Sequence, residues 1–172
     1  MTAIPAILFN FFWFAYVYSA SMRWYFLIPA ALILFLFIVQ KTYKPQGSFW
    51  RKVLLLTAMG FMFDVVMHQL GVIDLDRYAT MAICACWLSF SSLFIYNYAT
   101  FKKLRYVMLV LFGFFGPFSY YIAFKMEALA INKMEAFYVS YAIFWLLFSA
   151  LLLFRPKVSG WLYSARSREG ID

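Results

Sequence analysis

The sequence predicts an all-α, polytopic integral membrane protein whose six transmembrane helices form one bundle. Three observations favour this class. Of the 172 residues, 66% are hydrophobic and only 13% are charged, whereas proteins average about 25% charged residues. Six apolar runs meet or approach the roughly 20 residues that a membrane-spanning helix needs. Lysines and arginines concentrate in alternate connecting segments, as they do in multi-pass proteins.

The first two runs cover residues 3–20 and 24–40. The first run carries Asn10 among many aromatic residues and lacks the basic start of a secretory signal, so we expect a retained helix. The second contains Pro29 within its first turns, where a helix tolerates proline. The sequence KTYKPQGS at residues 41–48 combines proline, glycine and charge, which predicts a loop.

The third run, residues 50–72, contains the most informative pair of side chains. Asp64 is a carboxylate deep in an apolar run, and His68 is the one histidine of the chain. Four residues apart, they lie on the same helix face about one turn from each other. An ionisable residue inside a membrane helix is costly and is a functional-site hypothesis by default. The pair is therefore predicted to be a catalytic acid–base pair, although Asp64 as a hydrogen-bonding contact between helices and a solvated His68 are alternatives.

The remaining runs are predicted helices at residues 80–101, 104–124 and 136–154. The fifth helix is expected to be interrupted and kinked at Pro117, in the sequence GFFGP, because proline lacks the backbone donor and frees a carbonyl. The charged connector at residues 125–135 is expected to lie on the surface as a turn of helix. The sequence shows no internal repeat. We expect one transmembrane domain, residues 1–155, followed by a basic cytoplasmic tail, residues 156–172.

The charge distribution predicts the orientation and excludes some partners. The N-terminus, the second and fourth loops and the tail hold 11 of the 15 lysines and arginines, so both termini are expected in the cytoplasm. The net charge of +8 then needs no nucleic-acid partner. Cys84 and Cys86 point about 200° apart on a helix and cannot pair with each other. With one histidine, we expect no metal site and no cofactor.

A rise of about 1.5 Å per residue places Asp64 roughly 20 Å from the cytoplasmic edge of the membrane. The same count brings Trp87, Pro117 and Tyr141 to that level. We expect a pocket toward the outer face, with aromatic walls that suit a lipid headgroup or a quinone. The predicted ligand-binding residues are Trp87, Pro117, Tyr120, Tyr121, Asn10 and Asn97, and for the two asparagines hydrogen bonds between helices are the alternative.

Several of these residues also form a recognisable pattern. It comprises GxxxD at Gly60 and Asp64, and GxxGPxxYY from Gly113 to Tyr121, with Trp87, Asn97 and Trp145. The chain thereby resembles a family of small bacterial inner-membrane proteins catalogued as domain of unknown function 2878, over nearly its whole length. The resemblance implies a Gram-negative inner-membrane location. It also favours a lipid-related role, because such proteins tend to be encoded near fatty-acid-modifying methyltransferases.

Three functions are compatible with the sequence. The first is a lipid-associated protein, an enzyme or accessory factor acting on an acyl chain or headgroup with Asp64 and His68. The second is a non-catalytic small-molecule carrier or substrate-binding subunit that uses the break at Pro117. The third is a structural partner of other membrane proteins. Membrane lipids are the expected partners of the first, and nucleic acid is a partner of none.

Overall fold

The computed structural model describes residues 4–45 and 47–154, and 83% of these residues are helical. The predicted cytoplasmic tail lies outside them. The elements in chain order are α1 (Ile4–Ser21), α2 (Leu27–Tyr43), α3 (Phe49–Gln69), β1 (Ile73–Asp74), α4 (Arg77–Lys103), α5 (Arg105–Lys125), β2 (Ala130–Ile131) and α6 (Met134–Phe154).

The all-helical class is confirmed, and each predicted run corresponds to one helix. In the described part of the chain, α4, α5 and α6 are long and apolar enough to cross a membrane, while α1 and α2 are shorter apolar helices. Helix α4 begins three residues earlier than predicted because Asp76 caps it. The Asp76 carboxylate accepts hydrogen bonds from the backbone N–H groups of Tyr78 and Ala79, at 2.9 and 2.8 Å, as a good N-cap residue does.

The predicted interruption of the fifth helix is wrong. Helix α5 continues through Pro117 as a single helix of 21 residues, and the kink at this proline stays a prediction. Proline removes one backbone donor out of many, and α5 is supported by close packing on α6. Gly116 lies against the indole of Trp145, and a Cβ atom built on Gly113 would lie 2.6 Å from Leu146 Cδ2.

Helices α1, α3 and α5 all end in the same turn. Each turn has one residue with positive φ, namely Arg23 at 58°, Gly71 at 65° and Glu127 at 60°. In each case its N–H donates to the carbonyl three residues earlier, and the next N–H donates to the carbonyl five residues earlier. This is the Schellman motif, which satisfies the last carbonyls of a helix and reverses the chain. The helices therefore form three hairpins, α1–α2, α3–α4 and α5–α6.

Two of these hairpins are joined at the end where the turns lie. Strand β1 pairs antiparallel with β2, with Ile73 opposite Ile131 and Asp74 opposite Ala130. Lys133 Nζ also donates to the carbonyl of Leu70 at 2.9 Å. The connector that was expected to be a turn of helix thus contributes a strand instead, because its backbone pairs with the turn after α3.

Helix α4 is the centre of the bundle, and α5 is the least buried of the three long apolar helices. In their apolar stretches, 61% of α4 is buried but only 22% of α5. Helix α4 packs against α1, α2 and α3, whereas α5 packs mainly against α6. The wide separation between α4 and α5 leaves room for a cavity.

Candidate functional site

Asp64 is completely buried and lies where four helices meet. Its Oδ2 accepts hydrogen bonds from Trp87 Nε1 at 2.6 Å and from the Tyr120 hydroxyl at 2.8 Å, and its Oδ1 accepts one from the Tyr141 hydroxyl at 2.8 Å. These donors belong to α4, α5 and α6, so one carboxylate of α3 connects all four helices. We call these four residues the Asp64 cluster.

The positions of the three Schellman turns explain why buried polar side chains lie at the level of Asp64 in each hairpin. Counting seven residues back from the positive-φ residue of each turn gives Tyr16, Asp64 and Tyr120, and all three are buried. Tyr120 donates to Asp64, and the Tyr16 hydroxyl is hydrogen bonded to Ser89 Oγ on α4 at 3.0 Å. Equal spacing from equivalent turns thus places one buried polar side chain of each hairpin at a similar distance from the turns.

Glycines allow the indoles to reach into this region. A Cβ atom on Gly60 would overlap the ring of Trp87, and one on Gly116 would overlap the ring of Trp145. Since Gly60 is one turn before Asp64, Trp87 lies against the α3 backbone with its N–H at the carboxylate. The rings of Trp87 and Trp145 stack, with centroids 5.2 Å apart and planes 11° from parallel. The GxxxD spacing is therefore a packing requirement for this hydrogen bond.

Neutral donors compensate the burial of the carboxylate. Among the described residues, no Lys, Arg or His nitrogen lies within 4.0 Å of the Asp64 carboxylate. Hydrogen bonds to an ionised group are stronger than those between neutral groups, and a buried carboxylate needs them to offset its lost hydration. The arrangement can hold three side chains in fixed positions around one oxygen pair.

The predicted pairing of His68 with Asp64 is not formed. His68 Nδ1 accepts a hydrogen bond from the Leu75 N–H at 3.2 Å and lies 3.5 Å from Asp74 Oδ1, and its side chain is 44% exposed. The physical reason is that His68 occupies the last turn of α3, where the following loop offers nearer partners. A catalytic role for either residue stays a prediction.

The other predicted site residues fall into two groups. Trp87 and Tyr120 belong to the Asp64 cluster, and Pro117 is buried three residues before Tyr120 in α5. Tyr121 instead lies against the ring of Tyr138, with centroids 6.2 Å apart. Asn97 Nδ2 donates to the carbonyl of Leu93 at 2.9 Å within its own helix.

Tyr141 is the member of the cluster that was not assigned as a site residue. The helix rise predicts it at the level of Asp64, and its hydrogen bond to Asp64 agrees with that, but nothing in the sequence distinguishes it from the chain's other tyrosines. A rule that pairs a buried carboxylate with tyrosines at the same depth would have selected it.

A cavity of about 870 Å³ lies between α1, α4 and α5. Aromatic residues from all three helices line it, among them Phe9, Trp13, Phe90, Phe94, Phe112 and Phe115. None of the described residues that line it is charged; Asn10, Asn97 and Ser119 are polar members of the lining. Along α4 the lining runs from Ala79 to Phe101, which is about 33 Å of helix and comparable to the roughly 30 Å hydrocarbon core of a bilayer.

The cavity and the Asp64 cluster share a wall. Trp87 and Tyr120 line the cavity, whereas Asp64 and Tyr141 do not. The carboxylate is therefore not part of the cavity lining. It can affect a ligand in the cavity only through Trp87 and Tyr120, the two lining side chains that are hydrogen bonded to it. Within the described ranges, no group of three or more His, Cys, Asp or Glu side chains could hold a metal ion.

The fold and the site define an all-helical protein that has helices apolar enough to cross a membrane and a buried, hydrogen-bonded carboxylate. The model of the family described as protein of unknown function (DUF2878) matches residues 2–151, so the chain belongs to this family and the resemblance seen in the sequence is confirmed. No curated protein and no solved structure matches the chain.

Proposed function

We propose that this chain is a six-span protein of the bacterial inner membrane that binds the acyl chain of a lipid in the cavity between α1, α4 and α5. The observation that supports it best is the shared wall: Trp87 and Tyr120 face the cavity and are held from behind by Asp64.

The surface of the bundle supports the membrane location. Large apolar side chains are more than half exposed on several helices, including Phe11, Leu34, Leu54, Phe114 and Leu147. Such a surface is costly in water and normal in lipid. The excess of basic residues at one end of the bundle supports cytoplasmic termini.

The lining of the cavity supports the choice of ligand. With no charged lining residue, the buried part of the ligand has to be apolar and uncharged, because an unpaired charge would lose its hydration there. The volume lies within the range of about 300–1,000 Å³ that ligand pockets usually have. The extent of about 33 Å along α4 fits a long chain better than a flat ring, so a lipid acyl chain is favoured over a quinone headgroup.

The geometry favours binding over catalysis by Asp64. Both carboxylate oxygens accept hydrogen bonds from side chains of the bundle, and Asp64 does not line the cavity. We infer that Asp64 positions the wall and does not contact the ligand. This combines the lipid-associated role with that of a non-catalytic carrier.

Photo-crosslinking tests the proposal. The purified chain in phospholipid vesicles is incubated with a fatty acid that carries a diazirine on its chain, and labelled peptides are mapped by mass spectrometry. We expect labels on α4 and α5 residues of the cavity. Ala82→Phe and Ala123→Phe fill the cavity and should reduce labelling at least tenfold.

The matched control is Ala58→Phe, which adds the same ring on the exposed face of α3 and should leave labelling unchanged. Thermal unfolding of each variant verifies that it is folded. Acyl-chain binding would be refuted if labels were found only on the outer surface of the bundle and were equal in Ala82→Phe, Ala123→Phe and Ala58→Phe. That result would favour the role of a structural partner.

A further inference from the structure

Four buried polar atoms have no hydrogen-bond partner among the described residues. They are Thr57 Oγ1, Ser91 Oγ, Ser149 Oγ and Trp145 Nε1. Their residues are 8%, 0%, 1% and 6% exposed. Native proteins satisfy nearly all buried polar groups, and an orphaned one indicates an ordered water or another bound group.

The three hydroxyls share one region of the bundle. Trp87 of α4 stacks on Trp145 of α6, and the Tyr98 hydroxyl of α4 donates to the carbonyl of Leu152 of α6 at 2.9 Å. In both contacts the later residue of α4 meets the later residue of α6, so the two helices run in the same direction. Ser91 and Ser149 each follow their tryptophan by four residues, so both lie one turn beyond the stacked rings.

Thr57 reaches the same level from α3. Gly60 lies against the ring of Trp87, and Thr57 precedes Gly60 by three residues. Because α3 runs antiparallel to α4 in their hairpin, residues that precede Gly60 in α3 lie beside residues that follow Trp87 in α4. All three hydroxyls are thus displaced about one turn from the tryptophan stack, toward the N-terminus of α3.

Neighbouring serines show that this arrangement is unusual for the protein. Ser19, Ser92 and Ser140 each donate to the carbonyl four residues earlier in their own helix, at 2.6–2.8 Å. Serine normally escapes the cost of burial in a helix in this way. Ser91 is adjacent to Ser92 and does not do so, which means that its hydroxyl needs a partner from elsewhere.

We propose that Thr57, Ser91 and Ser149 bind one or two ordered water molecules at the junction of α3, α4 and α6. Each hydroxyl can donate and accept, so the set matches a neutral molecule that does both. A cation fits poorly because the set has no carboxylate. Globular proteins hold about one buried water per 27 residues, so such a site is expected in a chain of this size.

The sign of a stability change tests the site. Thr57→Val replaces a hydroxyl by a methyl of nearly the same size. If water is bound, it loses a partner, and the unfolding midpoint in detergent should fall by about 2–4 °C. If the hydroxyl is orphaned, removing it should leave the midpoint unchanged or raise it, and that result overturns the proposal.

Two further measurements make the test independent of one variant. Ser92→Ala is the matched control, because its hydroxyl bonds to its own helix, and it should change the midpoint less than Thr57→Val. In the double variant Thr57→Val/Ser149→Ala the loss should be smaller than the sum of the single losses, since both act on shared water. Additive losses, or a crystal structure from a lipidic phase without density between the hydroxyls, would contradict the shared site.

Discussion

The carboxylate of Asp64 illustrates how one side chain can hold a helix bundle together. An unpaired ion in the interior would lose its hydration without compensation, but here three neutral donors from three other helices point at it. Removing the carboxylate would leave those donors unsatisfied as well. The Asp64 cluster therefore fixes the relative positions of four helices, and each of its hydrogen bonds depends on the others.

Asp64→Asn is expected to destabilise the protein by about 1–3 kcal/mol. The amide keeps one acceptor oxygen but places an N–H₂ group opposite at least one of the donors. Unfolding by a denaturing detergent measures the loss. The matched control is Asp74→Asn on the exposed turn, which should change stability by less than about 0.5 kcal/mol. Equal, small effects of both substitutions would show that the cluster contributes little.

The two tyrosines of the cluster should differ in their effect on the ligand. Tyr120→Phe and Tyr141→Phe each remove one hydrogen bond to Asp64 and should cost stability by a similar amount, about 1–2 kcal/mol. Only Tyr120 lines the cavity, so its variant should also reduce crosslinking of the diazirine fatty acid severalfold.

The control for this comparison is Tyr121→Phe, one residue along α5 and outside the cluster, which should affect neither property. Loss of crosslinking with Tyr141→Phe but not with Tyr120→Phe would contradict the assignment of the wall.

At the scale of the helices, two glycines determine how closely α3 approaches α4 and how closely α5 approaches α6. Gly60→Ala and Gly116→Ala would place a methyl inside the rings of Trp87 and Trp145. Overpacking of this kind costs about 1–3 kcal/mol, and unfolding equilibria should show it. Gly113→Ala is the comparison, because it meets only the flexible end of Leu146.

Alanine is favoured over glycine in a helix by about 1 kcal/mol. This gain should offset the milder contact at Gly113 and leave its variant within about 1 kcal/mol of the parent chain. If Gly113→Ala lowered the free energy of unfolding as much as Gly60→Ala, the contacts with the tryptophan rings would not be what limits the approach of the helices.

The three equivalent turns make a second prediction about elements. Glu127 adopts a positive φ of 60°, which strains a residue with a side chain. Glu127→Gly should therefore stabilise the protein by up to about 1 kcal/mol, whereas Gly71→Ala, at a φ of 65°, should destabilise it by a similar amount. Thermal unfolding in one detergent compares the two. A change of the same sign in both variants would argue against the Schellman turns as a source of strain.

For the whole molecule, the distribution of basic residues predicts the direction of insertion. In a background without Cys84 and Cys86, Asn132→Cys should react with a membrane-impermeant maleimide in intact spheroplasts. Ser48→Cys, on the opposite end of the bundle, should react only after the membrane is permeabilised. The reverse pattern would contradict cytoplasmic termini.

Several features of the fold could be predicted because they depend on local composition. The six helices follow from apolar runs, and the level shared by Asp64, Trp87 and Tyr141 follows from the constant rise of a helix. The start of α4 at the Asp76 cap was missed by three residues, since a cap is decided by side-chain geometry and not by hydrophobicity. The pairing of β1 with β2 was missed because two residues carry no periodic signal.

The family, the all-helical class and the burial of Asp64 could be predicted from the sequence alone, because composition, motif spacing and apolar runs act at the level of single segments. Only the tertiary structure decided which side chains hold that carboxylate. Two candidate partners of Asp64 could be named from the sequence: His68, four residues further along the same helix, and Trp87, at the same level of another helix. His68 lies in the exposed last turn of α3 and is hydrogen bonded to the following loop, while the absence of a side chain at Gly60 lets the indole of Trp87 reach Asp64. Contacts between helices depend on how their surfaces fit, and that fit exists only once the bundle has formed.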